Sequence, residues 1–215
     1  MATLNGGYLG SFRGKLGLAV SYKLNSEDVI RTIGKNLHEN PPPSLQASWT
    51  KTTLVAAVLK PMHEFLRMGF VLEAKLTGQN FYNCAVKELR SAIVTNNSEI
   101  SIDFSRLLIT KGDLPLVRSA QVQLIPEGFE VSWDTGTDIG KMNKADHVML
   151  LAYFPDTFET VFIRSGAKRI VGVEKLLYTH LAQPRPAEIY LSFIAEDHSQ
   201  ISNSQYLGSV TSVIK

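Results

Sequence analysis

Seven short segments of β-type sequence, separated by turn residues, occupy the C-terminal part of this chain. Apolar and polar residues alternate or run together within each segment, and glycine, proline, aspartate or serine lies between segments. No helical periodicity interrupts them. Regularly spaced short strands of this kind predict a seven-stranded antiparallel β-sandwich from Arg118 to the end of the chain. The predicted strands are residues 119–125, 129–133, 147–154, 159–164, 169–173, 188–195 and 201–207.

Three of these segments resemble parts of fibronectin- and immunoglobulin-type modules. Residues 129–133 (Phe-Glu-Val-Ser-Trp) end on Trp133, as the second strand of fibronectin-type modules usually ends on an inward tryptophan. Residues 189–195 and 202–207, joined by a short turn, are similar to the closing hairpin of those modules. The resemblance implies a fibronectin/Ig-like β-sandwich with open sheet edges where a partner can dock.

The front of the chain is rich in glycine and then changes to a strand pattern. Glycines at positions 6, 7, 10, 14 and 17 predict a flexible arm. Apolar residues then alternate with small or polar ones, turn residues follow at 25–28, and residues 29–33 form a returning strand. Residues 18–33 therefore predict a β-hairpin. Because an isolated two-stranded hairpin is marginal in water, we expect it to lie on the rest of the chain or on a neighbouring copy.

Apolar residues recur at helical spacing in the middle of the chain. A stiff proline linker at 41–43 precedes Ser44, whose hydroxyl can cap the helix that follows. Pro61 lies inside this helical pattern and predicts a kink or a break. A second helix is predicted over roughly residues 80–95, after which the period changes to two.

The predicted fold class is α+β and mainly β, in three parts. Residues 1–39 form the arm and β-hairpin, residues 40–117 a helical segment with short strands, and residues 118–215 the sandwich. Hydrophobic residues make up 44% of the 215 residues, which is enough for a core.

Charge is distributed unevenly along the chain, although the net charge is only +2. Residues 1–90 hold 11 basic and 6 acidic residues, a net charge of +5, whereas residues 91–215 hold 11 and 14, a net charge of −3. This asymmetry suits a head-to-tail contact between copies. Two solvated surfaces that differ in charge would give the same counts.

The usual catalytic and cofactor motifs are absent from the sequence. The glycine-rich start lacks the spacing of a phosphate-binding loop, because three residues separate Gly10 from Gly14 and Leu16 follows Lys15. The five histidines are scattered, so no zinc-type histidine pair is formed. Cys84 is the single cysteine and falls on the apolar face of the second helix. We therefore expect no enzyme activity, no cofactor and no metal.

The N-terminal sequence has neither a basic segment nor an apolar one of the signal-peptide kind. No apolar run approaches the length needed to cross a bilayer. We expect synthesis in the cytoplasm and no membrane insertion, with release from the cell by a signal-independent route left open.

Several segments along the chain resemble one known family. They are residues 10–17, 20–23, 28–31, 65–70, 83–86, 109–115, 193–197 and 202–207. Together they are similar, nearly from end to end, to an uncharacterised family common in Bacteroidota and described only as a domain of unknown function. Residues 43–46 are shorter than the corresponding segment of many members. The resemblance implies no activity and no catalytic residues.

The leading functional hypothesis is a non-enzymatic structural protein that assembles with copies of itself into a filament, tube or shell. The arm and hairpin of one copy would dock on its neighbour and complete a sheet there. The predicted assembly residues are Phe12, Arg13, Lys15, Tyr22, Val29 and Arg31.

Two alternatives stay open at the level of sequence. The first is a monomeric binding module for a glycan, a peptide or another protein, using the loops at residues 134–143 and 197–200. The second is nucleic-acid binding through the cations of the arm and hairpin. Those cations are Arg13, Lys15, Lys23, Arg31 and Lys35, with Phe12 and Tyr22 between them.

Overall fold

A computed structural model describes residues 3–4, 12–24, 27–34, 41–96, 99–136, 145–178 and 185–211. The chain divides into two compact units, residues 1–46 and residues 47–215. The predicted loop at 134–143 is described only as far as Gly136, and Lys35 lies outside the described residues.

The first unit is a four-stranded antiparallel sheet with its strands in chain order. The strands are β1 (Thr3–Leu4), β2 (Phe12–Leu16), β3 (Ala19–Leu24) and β4 (Glu27–Thr32). Strands β3 and β4 confirm the predicted hairpin, although Glu27 and Asp28 begin β4 and do not belong to its turn. The segment predicted to be a flexible arm contains β2, which pairs with β3 through a two-residue turn at Gly17 and Leu18.

Four α-helices lie among the described residues: α1 (Pro43–Leu59), α2 (His63–Gly69), α3 (Val71–Thr77) and α4 (Phe81–Ser91). Pro61 lies between α1 and α2, so the predicted break is confirmed. Helix α4 ends earlier than predicted. Its expected last turn is strand β5 (Ile93–Asn96), paired with β6 (Glu99–Ile102), because β-branched residues favour a strand there. None of these described helices combines the length and apolarity needed to cross a membrane.

Two larger antiparallel sheets complete the second unit. One contains β7 (Ala120–Ile125), β8 (Gly128–Trp133) and β11 (Val173–Leu177), in the order β11-β8-β7. The other contains β9 (His147–Phe154), β10 (Glu159–Ile163), β12 (Pro186–Ile194) and β13 (Gln205–Thr211), in the order β10-β9-β12-β13. The predicted fold class, mainly β with helices, is confirmed at this level.

Five of the seven predicted strands agree with the structure to within two residues at each end, and the other two have clearly different boundaries. Residues 169–171 form a 3-10 helix, and the strand begins only at Val173. The last strand begins at Gln205, whereas residues 201 and 202 make isolated bridges.

Strands β9 and β12 are buried on both faces, which explains their nearly continuous apolar sequences. Alternate residues of β9, such as Leu150 and Phe154, join a buried cluster with Phe129 of the three-stranded sheet. The intervening residues, such as Leu151, join a second cluster with side chains of α1, α2 and α4, such as Phe65. The second cluster holds side chains from both sides of the predicted boundary at 117/118, and that boundary stays a prediction.

Candidate functional site

Five of the six predicted assembly residues lie on one face of the first unit's sheet. The strand pairing places Lys15 opposite Val20, Val20 opposite Arg31, and Tyr22 opposite Val29. Paired residues share a face, and so do alternate residues along a strand. Arg13, two residues before Lys15, therefore joins them. We call this surface the basic face; its central residues are Arg13, Lys15, Val20, Tyr22, Val29 and Arg31, and the pair Leu24 and Glu27 continues it at the end of the hairpin.

Phe12 does not belong to this group. It is adjacent to Arg13 on β2, and side chains of successive residues point to opposite faces of a sheet. Phe12 therefore lies on the face opposite the other five residues, and its role in assembly stays a prediction. Lys23, one of the cations proposed for nucleic-acid binding, lies on the same opposite face as Phe12.

An opening of about 430 Å³ lies on the basic face beside Lys15 and Arg31. Val20 separates these two cations, which come from strands on either side of β3. Two strand spacings place their backbones roughly 10 Å apart, close enough for both long side chains to reach one anion. The guanidinium carbon of Arg31 also lies 5.9 Å from the ring centroid of Tyr22, within cation–π range.

Little of this sheet is buried within the described residues. Across residues 12–24 and 27–34, Ser21 alone is buried. Leu16 and Ile30, on the face opposite the basic one, are 60% and 64% exposed, and Leu24 at the end of β3 is 54% exposed. A sheet with large apolar side chains in solvent is typical of a surface that another surface covers.

An acidic loop connects β12 and β13 in the second unit. Residues 195–200 form its exposed tip, in which His198 has a positive φ of 58°. The side chain of Asp197 accepts hydrogen bonds from the Ser199 nitrogen at 2.9 Å and hydroxyl at 2.6 Å. These bonds lower the pKa of Asp197 because they stabilise its charged form. Glu196 lies 3.2 Å from Lys168 in an exposed ion pair.

A buried ion pair lies next to this loop. Arg169 Nε is 3.3 Å from Asp146 Oδ2, and the two side chains are 5% and 0% exposed. The Arg169 guanidinium also donates to the Pro115 carbonyl at 2.9 Å and lies 3.8 Å over the ring of Phe193. Burial lowers the pKa of Arg169, and the Asp146 carboxylate opposes that shift. Asp146, Glu196 and Asp197 all line an opening of about 620 Å³.

His63 and Cys84 have side chains of types that can serve in catalysis. His63 Nδ1 lies 3.5 Å from Glu64, with both side chains about half exposed. Cys84 is buried, and its sulfur lies 3.9 Å from the Thr77 hydroxyl. Within the described ranges, no group of three or more His, Cys, Asp or Glu side chains could hold a metal ion.

Residues 11–208 match a protein family described as "Family of unknown function (DUF6266)". The match covers most of the chain. The chain belongs to the DUF6266 family. The resemblance to a domain of unknown function is thereby confirmed. Neither a curated protein nor a solved structure gives a significant match.

Three of the segments that carry the DUF6266 resemblance meet in the second unit. The Lys111 nitrogen donates to the Gly69 carbonyl at 3.1 Å. The Ile109 nitrogen donates to the Ser204 hydroxyl at 2.9 Å, and the Gly112 nitrogen donates to Asn203 at 3.1 Å. These bonds connect the end of α2, the segment at 109–115 and the segment before β13. Sequence reasoning did not find this convergence, because nothing local in the three segments indicates that they are neighbours.

Lys111 also lies between two carboxylates at this junction. Its ammonium is 3.0 Å from Glu88 and 3.1 Å from Glu73. Hydrogen bonds to Glu88 and then to Glu73 raise the pKa of Lys111. The lysine is therefore held as a cation and is unsuited to act as a nucleophile. Its role in the DUF6266 chain is to tie α3 and α4 to the segment at 109–115.

Proposed function

We propose that this DUF6266 protein is a non-enzymatic structural protein that assembles with copies of itself, and that the sheet of its first unit docks on a neighbouring copy. The observation that carries the proposal is that sheet's exposure. Its described strands hold several large apolar side chains in solvent and a single buried residue, Ser21. Fully covering an exposed leucine or isoleucine contributes about 1.5–3 kcal/mol. Leu16 and Ile30 are partly exposed, so covering them contributes part of the free energy that must offset the entropy lost on association.

Two features of the sheet determine how it would dock on a neighbouring copy: the free edge of β4 and the charges of the basic face. Among the described residues β4 pairs only with β3, so its outer backbone groups can pair with a strand of another copy. Arg13, Lys15 and Arg31 then set which surface is accepted, since charges across an interface govern specificity more than affinity. A contact between unlike surfaces of identical copies propagates into a polymer unless the rotation closes a ring.

The second unit would be the platform of the assembly. We infer that its two larger sheets form a seven-stranded sandwich of the fibronectin/immunoglobulin type. Two observations support this: the strands divide three and four between the sheets, and one buried cluster takes side chains from both. The loops and edges of such a platform are where the neighbouring copy would be received.

Removing residues 1–35 tests the proposal. Both buried clusters consist of residues beyond position 46, so the shortened chain should keep its core and fold. Size-exclusion chromatography with light scattering and negative-stain microscopy would compare the two proteins. We expect the full chain to form ordered polymers and the shortened chain to be a folded monomer. Equal assembly of both, or a full chain that is monomeric at all concentrations, contradicts the proposal.

A second candidate function is a binding module. It is favoured by an opening of about 420 Å³ between α3 and the segments around Gly112 and Ile201, which includes part of the predicted loop at 197–200. Its walls combine apolar Leu72 and Leu76 with the polar side chain of Asn203. This function predicts a single small species whose melting temperature rises with a ligand, and Asn203→Ala should remove that rise.

A further inference from the structure

We propose that the opening between Lys15 and Arg31 is a carboxylate socket, and that it receives Glu196 and Asp197 of a neighbouring copy. This inference rests on the proposed self-assembly and names the contact that drives it. It assigns the acidic loop between β12 and β13 as the partner of the basic face.

The socket is built to hold an anion. Lys15 and Arg31 flank Val20 on three adjacent strands and border the same opening of about 430 Å³. Within the part of the chain that the structure describes, neither cation has an ion-pair partner. The Arg31 guanidinium is instead placed near the Tyr22 ring, which leaves its donors available. Two neighbouring cations beside one shallow opening attract a negatively charged group.

The acidic loop has the matching properties. Asp197 is an exposed carboxylate held in place by two hydrogen bonds from Ser199, so it presents a fixed negative charge. The Glu196 side chain is 59% exposed, and its one ion pair, with Lys168, is of the exposed kind that contributes about 0–1 kcal/mol. Exchanging that partner for Lys15 and Arg31 therefore costs little. The tight turn at His198 presents both carboxylates at an exposed tip.

The second copy is favoured as the occupant by the charges of the chain itself. The basic socket and the acidic loop lie on two different surfaces of the same chain. The same asymmetry extends over the whole chain, with a net charge of +5 in residues 1–90 and −3 in residues 91–215. Complementary but different surfaces on one chain give a head-to-tail contact, which continues from copy to copy.

Two full-length charge-reversal variants test the inference together. One carries Lys15→Glu and Arg31→Glu in the socket, and the other carries Glu196→Lys and Asp197→Lys in the tip. Each alone places like charges across the contact, so each should raise the concentration needed for assembly by about tenfold or more. In an equimolar mixture every socket meets a tip of opposite charge, and light scattering should show assembly restored.

Lys87→Glu is the matched control, since it makes the same charge change at an exposed position of α4, outside both the first unit's sheet and the acidic loop. It should assemble like the wild type, whereas Lys15→Glu should not. Circular dichroism would verify that each variant is folded. Assembly of the wild type should also weaken between about 0.05 and about 0.5 M salt, where screening shortens the range of charge interactions.

The outcomes separate this inference from the proposed self-assembly. If deleting residues 1–35 abolishes assembly while both charge variants assemble normally, self-assembly stands and the socket is wrong. If the variants fail alone and the mixture also fails, the acidic tip is not the partner. A third outcome overturns both ideas: the wild type is monomeric, it is retained on single-stranded DNA in a salt-sensitive way, and Lys15→Glu loses that retention. The basic face would then be assigned to nucleic-acid binding.

Discussion

Replacing Gly69 with alanine should destabilise the second unit. Gly69 is the last residue of α2, and a methyl group there would lie 2.6 Å from the Ile109 carbonyl oxygen and 2.8 Å from Cγ2 of Thr110. The crowded atoms belong to a segment that cannot easily move. The Ile109 nitrogen donates to the Ser204 hydroxyl at 2.9 Å, and the Gly69 carbonyl itself accepts from Lys111 at 3.1 Å.

The magnitude follows from two opposing effects. Alanine is favoured over glycine inside a helix by about 0.5–1 kcal/mol, and by less at a helix end. Forcing a methyl group into a well-packed site costs about 1–3 kcal/mol. Distorting the hydrogen bond that the Gly69 carbonyl accepts adds about 1 kcal/mol. The crowding wins, so the free energy of unfolding should fall by about 1–3 kcal/mol. For a chain of this length, each kcal/mol corresponds to a fall of about 2–4 °C in melting temperature.

Urea denaturation followed by far-UV circular dichroism measures this change. Gly136→Ala is the control, because the nearest atom to its added methyl group is an Asp134 carboxylate oxygen at an ordinary 3.5 Å. It should change stability by no more than about 0.5 kcal/mol. If Gly69→Ala is as stable as the wild type, the segment at 109–110 accommodates the methyl group without cost, which contradicts the prediction that crowding there destabilises the fold.

Two further predictions concern buried and bridging charges in the same unit. Asp146→Ala should lower the free energy of unfolding by about 3–5 kcal/mol, since it leaves Arg169 buried without its carboxylate. The double variant Asp146→Leu/Arg169→Met should cost less than the two single changes summed, and a double-mutant cycle in urea showing simple additivity would contradict this. The interactions with Glu88 and Glu73 that raise the pKa of Lys111 stabilise the fold fully at pH values below the ordinary pKa of 10.5. That stabilisation is lost as the pH rises through the higher pKa of the folded state. Urea midpoints measured from pH 9 to 12 should therefore fall more steeply for the wild type than for Lys111→Met, and parallel curves would count against the bridge to Glu73 and Glu88.

The elements that sequence predicted best are those whose signals are local. Pro61 breaks the first helical run because it removes a backbone donor at that point. The helix over 80–95 was extended too far because Ile93 continues the helical spacing of apolar residues. In the structure Ile93 pairs with Ile102 across β5 and β6, and this strand pairing replaces the last turn of the helix. Arg169 was assigned to a strand, whereas its burial beside Asp146 depends on a contact that no local pattern announces.

The basic face was hidden from sequence because its existence depends on register. Cations at 13, 15 and 31 look scattered when counted along the chain. The two-residue turn that begins at Gly17, with φ of +59°, places Lys15 opposite Val20, and β4 then brings Arg31 to the same row. A slip of one residue in this pairing would move Lys15 to the opposite face without changing composition or charge. The registers of both strand pairs, β2 with β3 and β3 with β4, therefore decide whether Lys15 and Arg31 share a face or lie on opposite faces of the sheet.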